Sequence, residues 1–99
     1  MKDKLFFSVV IPSFNRAKTL GKTIQSVLEQ EFSDFEVIII DDGSTDNTRD
    51  LIQEIQDARI RYFYQDNQER GAARNHGILK ANGIYVTFLA SDDILHKDY

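Results

Sequence analysis

Residues 37–44 read VIIIDDGS, four branched apolar residues followed at once by two acidic residues and a Gly-Ser pair. A short continuous apolar run that ends in turn residues is typical of a strand buried on both faces. A second run of this kind, YVTFL at 85–89, leads into a second acidic cluster, ASDD at 90–93. In open parallel α/β sheets ligands bind at the carboxyl ends of the strands, so both clusters are expected at the binding edge.

The rest of the chain alternates strands with helices. Apolar residues at helical spacing predict a first helix over Leu20 to Leu28, a second around Leu51 to Ile55 and a third from Gly71 to Ala81. The strands are predicted at 6–11, 37–40, 60–64 and 84–89. Such alternation predicts an α/β fold with a mainly parallel sheet and right-handed crossovers.

Composition excludes several classes of protein. The chain has 99 residues and a net charge of −4, which argues against a nucleic-acid partner. It has no cysteine, so disulfides and thiolate chemistry are excluded. No apolar stretch approaches the ~20 residues of a membrane span. We expect a cytoplasmic protein, with the inner face of a membrane as the alternative location for a longer chain. Because residue 99 follows so soon after the second acidic cluster, we expect residues 1–99 to be the front part of such a chain.

The first acidic cluster is a candidate ligand site. Asp41 and Asp42 follow an apolar strand, where a carboxylate could accept hydrogen bonds from a nucleotide base or a ribose hydroxyl. One of them could instead cap the next helix, although capping requires one side chain rather than two. Gly43 lets the backbone turn tightly or lets a ligand approach.

Two further segments are expected at the same edge. Pro12 to Arg16 follows the first strand and could form a ligand wall with the ring of Phe14, or a plain turn in which Pro12 ends the strand pairing. Arg70 and Arg74 lie four residues apart at the start of the third helix, where two cations oppose the helix dipole. An anionic or nucleobase ligand at Arg74 would relieve that conflict, whereas His76 is interpreted as structural or exposed.

The second acidic cluster suits a hard divalent cation. Mg²⁺ or Mn²⁺ typically takes one or two protein carboxylates and completes its shell with water and substrate phosphate. Asp92 and Asp93 therefore form the candidate metal site, with helix capping as the alternative.

Four motifs in this order resemble the amino-terminal, nucleotide-sugar-binding half of family-2 glycosyltransferases with the GT-A fold. They are VVIPSFNR at 9–16, IIIDDGSTD at 38–46, GAARN at 71–75 and FLASDD at 88–93. Together with the strand and helix pattern, the resemblance implies a four-stranded sheet of order 3-2-1-4 with flanking helices. It covers nearly the whole chain and implies inverting transfer of a sugar from a nucleotide-diphosphate donor, often a uridine one, with Mg²⁺ or Mn²⁺.

The resemblance also implies a role for each site residue. Pro12 and Phe14 line the base pocket, Asp42 pairs with the base, and Asp41 supports Asp42. Arg74 reaches the base or its surroundings. Asp92 touches the ribose or the metal, and Asp93 helps to hold the metal and diphosphate. The acceptor, a glycan or a lipid-linked sugar, stays open.

Two departures qualify this assignment. Many relatives have Asp at the position of Ala90, so only Asp92 and Asp93 remain of the usual metal motif. Either these two carboxylates suffice or metal binding is weakened. The family's catalytic base lies in the second half, so residues 1–99 alone are expected to bind a donor without transferring sugar. Loss of a covering half would also leave apolar surface exposed, which favours self-association.

Three other classes of protein are alternatives to this assignment. A haloacid-dehalogenase-like phosphatase would need its nucleophilic Asp at position 40, which is Ile40. A receiver-type signalling domain would need an acidic pair after the first strand, where Pro12 and Ser13 stand. A non-catalytic nucleotide-binding or interaction module remains the alternative to the enzyme.

Overall fold

A computed structural model describes residues 5–30, 34–66 and 70–91 of the chain. The described residues alternate strands and helices throughout. In chain order the elements are β1 (Leu5–Ser13), α1 (Ala17–Leu28), β2 (Phe35–Asp42), α2 (Thr48–Glu54), β3 (Ile60–Gln65), α3 (Arg70–Lys80) and β4 (Gly83–Phe88).

The four strands form one sheet in the order β3-β2-β1-β4, and each neighbouring pair is parallel. In the central pair Val9 lies opposite Val37, and on the other side of β1 Val10 lies opposite Phe88. The predicted α/β class, the parallel pairing and the strand order are therefore confirmed.

The sheet separates two apolar layers, because successive side chains of a strand point to opposite faces. Val37 and Ile39 of β2 pack in the layer that contains Leu20 and Ile24 of α1 and Ile52 of α2. Ile38 and Ile40 point the other way and pack with Val10 of β1 and Ala73 of α3. Every residue of β2 is buried, which agrees with the continuous apolar run in the sequence.

The two central strands extend further than predicted, and this changes the position of the acidic pair. Asp41 and Asp42 are the last two residues of β2 rather than the loop after it. Strand β1 continues through Pro12 and Ser13, which pair with Ile40 and Asp41. The backbone carbonyl of Val10 accepts a hydrogen bond from the Leu89 N–H on the β4 side. Because the backbone groups of alternate residues in a strand point to the same neighbouring strand, the backbone of Pro12 is also directed to the β4 side. The last β1–β4 pair is Val10 with Phe88, so Pro12 costs the sheet no hydrogen bond.

Strand β4 differs from the expectation of burial on both faces. Its residues Ile84 and Tyr85 are 57% and 56% exposed. Within the described part of the chain β4 pairs only with β1, and the apolar run is therefore left at an edge. Such exposed surface is consistent with the expected self-association, which stays a prediction.

Two glycines allow elements to approach closely. A Cβ at Gly77 of α3 would lie 2.3 Å from Val10 Cγ1, so this glycine sets how near α3 packs to the sheet. A Cβ at Gly83 would lie 2.6 Å from the backbone of Phe7 and Ser8 at the start of β4. Gly71, by contrast, has nothing within 4 Å of its added Cβ.

The amino edge of the sheet carries a buried polar cluster centred on Glu36. Its carboxylate accepts the Ser8 hydroxyl at 2.6 Å, the Asn82 backbone N–H at 2.6 Å and Arg61 Nη1 at 2.9 Å. Ser8 Oγ in turn accepts the Gly83 N–H at 2.8 Å. The cluster joins all four strands at the edge opposite the acidic pair. Among the described helices, none is long and apolar enough to cross a membrane.

Candidate functional site

The acidic pair at the end of β2 divides between the two faces of the sheet. Asp41 follows Val37 and Ile39 on the α1/α2 face, and Asp42 follows Ile38 and Ile40 on the α3 face. Their hydrogen-bond partners agree, since Asp41 accepts from Tyr62 and Asp42 from Gln65. The two carboxylates therefore have separate surroundings, although they are adjacent in sequence.

On the α3 face the carboxyl edge opens into a hollow of about 460 Å³, here called the α3-side hollow. It is lined by Pro12, Arg16, Arg74, Phe88, Leu89, Ala90 and Ser91. The Arg74 guanidinium lies over the Phe88 ring, 4.7 Å from its centroid, a cation–π arrangement that holds the cation at the wall. The structure thus brings together Pro12 from β1, Arg74 from α3 and Arg16, whereas the predicted base-site residues Asp42 and Phe14 are not among the residues that line this hollow. The ligand roles of all these residues stay predictions.

The segment after β4 is anchored to helix α1. The backbone carbonyl of Ser91 accepts hydrogen bonds from the hydroxyls of Thr19 at 3.0 Å and Thr23 at 3.1 Å. Ser91 itself is buried. The two predicted metal ligands that follow it, Asp92 and Asp93, lie outside the described residues.

Asp42 belongs to a polar chain that reaches helix α3. Gln65 Nε2 donates to Asp42 Oδ1 at 2.8 Å, and Gln65 Oε1 lies 2.8 Å from His76 Nδ1. The His76 ring packs against Phe63, with their centroids 5.7 Å apart. The interpretation of His76 as structural or exposed thus omitted its polar contact, because the register that brings it to Gln65 is not visible in the sequence.

Asp41 lines a second hollow, of about 370 Å³, on the other face. The side chain is only 1% exposed, and it accepts the Tyr62 hydroxyl and the Ser44 backbone N–H. Burial and the hydrogen bond to Asp41 raise the pKa of Tyr62 to about 12. Arg49 also lines this hollow, with its guanidinium 5.1 Å from the centroid of the Tyr64 ring.

Asn15 ties the loop after β1 to the loop after β2. Its side-chain oxygen accepts the backbone N–H groups of Thr45 at 2.8 Å and Asp46 at 3.2 Å, and its own N–H donates to Ser44 Oγ at 2.9 Å. Asn15 adopts a left-handed backbone with φ of 51°, which asparagine tolerates better than most residues. Phe14, just before it, is 46% exposed at the rim.

Asp46 serves both neighbouring helices. One of its oxygens accepts the Ala17 N–H at the start of α1 at 3.2 Å, and the other accepts the Thr48 N–H and hydroxyl in α2. Burial raises the pKa of Asp46, but the hydrogen bonds from Thr48 and Ala17 outweigh it and leave this pKa below the usual value. Asn15 and Asp46 lie within the sequence motifs, and both are residue types that bind neighbouring backbone N–H groups.

The described residues contain no group of three or more His, Asp, Glu or Cys side chains placed to hold a metal ion together. The carboxylates of this edge that the structure describes are engaged with protein donors, Asp41 with Tyr62 and Asp42 with Gln65. The metal site at Asp92 and Asp93 stays a prediction.

Comparison with known proteins identifies the class as glycosyltransferases of the GT-A fold. The family model described as glycosyl transferase family 2 matches residues 8–99. The chain therefore belongs to glycosyl transferase family 2. It is 49% identical over 92 residues to an uncharacterized glycosyltransferase of Rickettsia felis, covering 92% of this chain and 15% of the relative. It is also 44% identical to the Campylobacter jejuni GalNAc(5)-diNAcBac-PP-undecaprenol beta-1,3-glucosyltransferase, covering 89% of this chain and 30% of that protein.

Solved structures give the same fold. The chain superposes on S. aureus TarS 1–349 in complex with UDP-GlcNAc with a TM-score of 0.89 and 29% identity, covering 95% of this chain and 28% of that one. The mannosyltransferase PcManGT of Pyrobaculum calidifontis, in complex with GDP-Man and Mn²⁺, superposes with a TM-score of 0.84 at 21% identity, covering 97% and 30%. The chain thus spans less than a third of each of these proteins.

Proposed function

We propose that residues 1–99 form the donor-binding part of an inverting glycosyltransferase that uses a nucleotide-diphosphate sugar, with uridine as the base. The observation that carries this proposal is the α3-side hollow, where Pro12 and two arginines meet at the carboxyl edge of a parallel sheet. Such edges are where α/β proteins bind nucleotides. The TarS complexes with UDP and UDP-GlcNAc support the choice of base.

Asp42 is proposed to recognise the base. It ends β2 on the same face of the sheet as α3, and its side chain is 9% exposed, so an added hydrogen bond there would be shielded from water. A carboxylate only accepts, which suits the N–H of a uracil ring. Pro12 and Phe14 would supply the apolar wall. Asp41 would support this edge through its bonds to Tyr62 and Ser44 rather than by touching the ligand.

Arg74 is proposed to reach the base or its surroundings, and Arg16 shares the hollow with it. Two guanidinium groups in one hollow repel each other, and an anionic nucleotide would relieve that repulsion. Arginine also presents a planar fork of donors that matches phosphate oxygens. The stacking of Arg74 on Phe88 fixes this fork before the ligand arrives.

The reaction would be an in-line attack of an acceptor hydroxyl on the anomeric carbon, with the catalytic base expected beyond Tyr99. Asp92 and Asp93 are the proposed ligands of a Mg²⁺ or Mn²⁺ ion, which when bound neutralises the departing diphosphate. The Mn²⁺ in the PcManGT complex supports a metal in this fold.

Calorimetric titration with uridine diphosphate tests the proposal. We expect binding that strengthens with Mn²⁺ and weakens with a chelator. Arg74→Gln and Asp42→Asn should each weaken it about tenfold or more, as expected for hydrogen bonds to charged groups worth ~1.5–3 kcal/mol. Lys22→Gln on the exposed face of α1 and Asp34→Asn before β2 are the matched controls, because they remove the same charges at exposed positions.

Equal effects of the site variants and their controls would contradict the assignment of these residues. Binding without transfer by a full-length protein, in the presence of acceptors, would favour the non-catalytic module instead. The name of the Campylobacter relative supports a lipid-linked acceptor, and we propose a glycan or lipid-linked sugar. Cell fractionation of the full-length protein tests the proposed cytoplasmic location.

A further inference from the structure

Three elements contribute to one chain of polar contacts behind the proposed base site. Asp42 ends β2, Gln65 ends β3 and His76 lies in the middle of α3. Both links of this chain are 2.8 Å long. Each contact joins two residues that are at least 11 positions apart in the sequence. The contacts therefore depend on the tertiary structure rather than on local turns.

The direction of each hydrogen bond follows from the chemistry of the groups. An ionised carboxylate only accepts, so Asp42 must face the amide nitrogen of Gln65. The amide oxygen of Gln65 then faces His76, and because that oxygen only accepts, His76 Nδ1 must carry a proton. Asp42 therefore selects one tautomer of the His76 imidazole through the Gln65 amide.

Close packing fixes the distance of helix α3 from the sheet. This packing keeps the contacts among Asp42, Gln65 and His76 in place. Gly77, the neighbour of His76, has no room for a Cβ because Val10 lies where that atom would be. The His76 ring also packs on Phe63 of β3. The imidazole is thus positioned by packing, and its Nδ1 proton points at Gln65.

We propose that Gln65 and His76 are positioning residues that orient the Asp42 carboxylate for the nucleotide base. The proposal rests on the proposed function of Asp42. A carboxylate held by a fixed donor presents its remaining lone pairs in one direction, so binding need not order it. His76 acts on the ligand only through Gln65.

Two substitutions of His76 separate positioning from packing. His76→Phe keeps a ring against Phe63 but has no N–H, whereas His76→Asn loses the ring and keeps an N–H donor near the position of Nδ1. We expect His76→Phe to weaken binding of uridine diphosphate about three- to tenfold, the range of one net hydrogen bond. His76→Asn should bind within about twofold of the wild type. Leu79→Ala, at an 82% exposed position of the same helix, is the control.

A second measurement needs no ligand. Nitrogen-15 NMR of the His76 ring in alkaline buffer distinguishes the two tautomers. We expect the Nδ1–H tautomer in the wild type. Gln65→Met removes the acceptor, and Asp42→Leu frees the Gln65 amide to turn over, so both should reduce the population of this tautomer.

The outcomes are distinct. A weakened His76→Phe with a near-normal His76→Asn, together with the Nδ1–H tautomer, supports the proposal. Wild-type affinity in His76→Phe, a weakened His76→Asn or an Nε2–H tautomer in the wild type overturns it. If the wild type binds no nucleotide, the proposed function fails, and the positioning of Asp42 is then decided by whether Asp42→Leu changes the His76 tautomer.

Discussion

The side-chain oxygen of Asn15 accepts the backbone N–H of Thr45 at 2.8 Å, so the loop after β1 and the loop after β2 form one unit. Phe14 lies in the loop after β1, and the loop after β2 directly follows Asp42. Because loops at a strand edge have few packing contacts, this bond is important for the shape of the edge.

Replacing Asn15 by glycine or by alanine should destabilise the protein. Asn15→Gly keeps the left-handed backbone and loses the acceptor, and we expect a loss of about 1 kcal/mol in the free energy of unfolding. Asn15→Ala should lose about 1–2 kcal/mol more, because its Cβ disfavours a φ of 51°. Urea denaturation of the two variants checks this, and equal stability of Gly and Ala at this position would show that the backbone conformation is not maintained.

Gly77→Ala should destabilise the protein although alanine is the better helix former. The gain in helix propensity is about 1 kcal/mol. The new Cβ would lie 2.3, 3.1 and 3.3 Å from three carbons of Val10, and overpacking of this kind costs about 1–3 kcal/mol. We expect a net loss of stability and weaker nucleotide binding, since Arg74 and His76 move with the helix.

Gly71→Ala is the matched control for this prediction. It lies in the same helix and its Cβ meets nothing within 4 Å, so it should leave stability unchanged or raise it. The double variant Val10→Ala, Gly77→Ala should recover part of the loss. A stabilised Gly77→Ala would show that α3 can move away from the sheet freely.

Tyr62 should ionise near pH 12, and stability should fall as it does. Its pKa is raised from 10.0 to about 12, so the protonated hydroxyl is favoured in the folded state. Its contribution is complete below pH 10 and is lost as the pH rises towards 12. Ultraviolet titration of tyrosinate should show a late step that Tyr62→Phe removes, and that variant should be about 1.5–3 kcal/mol less stable at neutral pH because buried Asp41 loses a donor.

Glu36 should make the fold sensitive to acid. Burial raises its pKa, but hydrogen bonds from Ser8, Asn82 and Arg61 outweigh burial and leave the pKa below the usual 4.5. The ionised carboxylate thus stabilises the fold above pH 4.5, and this contribution is lost as the pH falls through the lowered pKa. Glu36→Gln should cost about 2–4 kcal/mol at pH 7 and less in acid. A constant difference between variant and wild type from pH 7 to pH 3 would contradict this account.

Ser13→Ala should leave the stability of the protein unchanged or raise it, unlike the substitution of Glu36. Within the described part of the chain the Ser13 hydroxyl is buried and has no hydrogen-bond partner. Removing an unpaired buried hydroxyl relieves a desolvation penalty of about 1–3 kcal/mol, so stability should stay equal or rise. Thermal unfolding measures this directly, and a destabilised variant would reveal a water or ligand bound to the hydroxyl.

Sequence patterns predicted what depends on local alternation, and missed what depends on register. The isoleucines of β2 and the helical spacing of Leu20, Ile24 and Val27 predicted the sheet and its helices because burial imposes those periods. The ends of β1 and β2 were placed too early, since charged residues and a proline are poor strand formers by propensity. Tertiary pairing with Ile40 and Asp41 keeps Pro12 and Ser13 in the strand.

The candidate site shows the same division. The residues at strand ends were predictable because parallel strands bring their carboxyl ends to one edge. The link from Asp42 to His76 was not, because it depends on which residue of β3 lies opposite Asp42 and on how α3 is rotated. The register pairs Asp42 with Gln65, and a shift of one residue would have put that side chain on the other face.

The polar cluster around Glu36 stabilises the edge of the sheet opposite the candidate site, and this separation matters for how the protein can evolve. Glu36 and Asp42 are six residues apart on one strand, a distance of roughly 20 Å at ~3.3 Å per residue. Substitutions that far apart have nearly independent effects on stability. The amino edge can therefore maintain the fold while substitutions accumulate at the carboxyl edge. The sheet could then acquire a new ligand specificity without first losing stability.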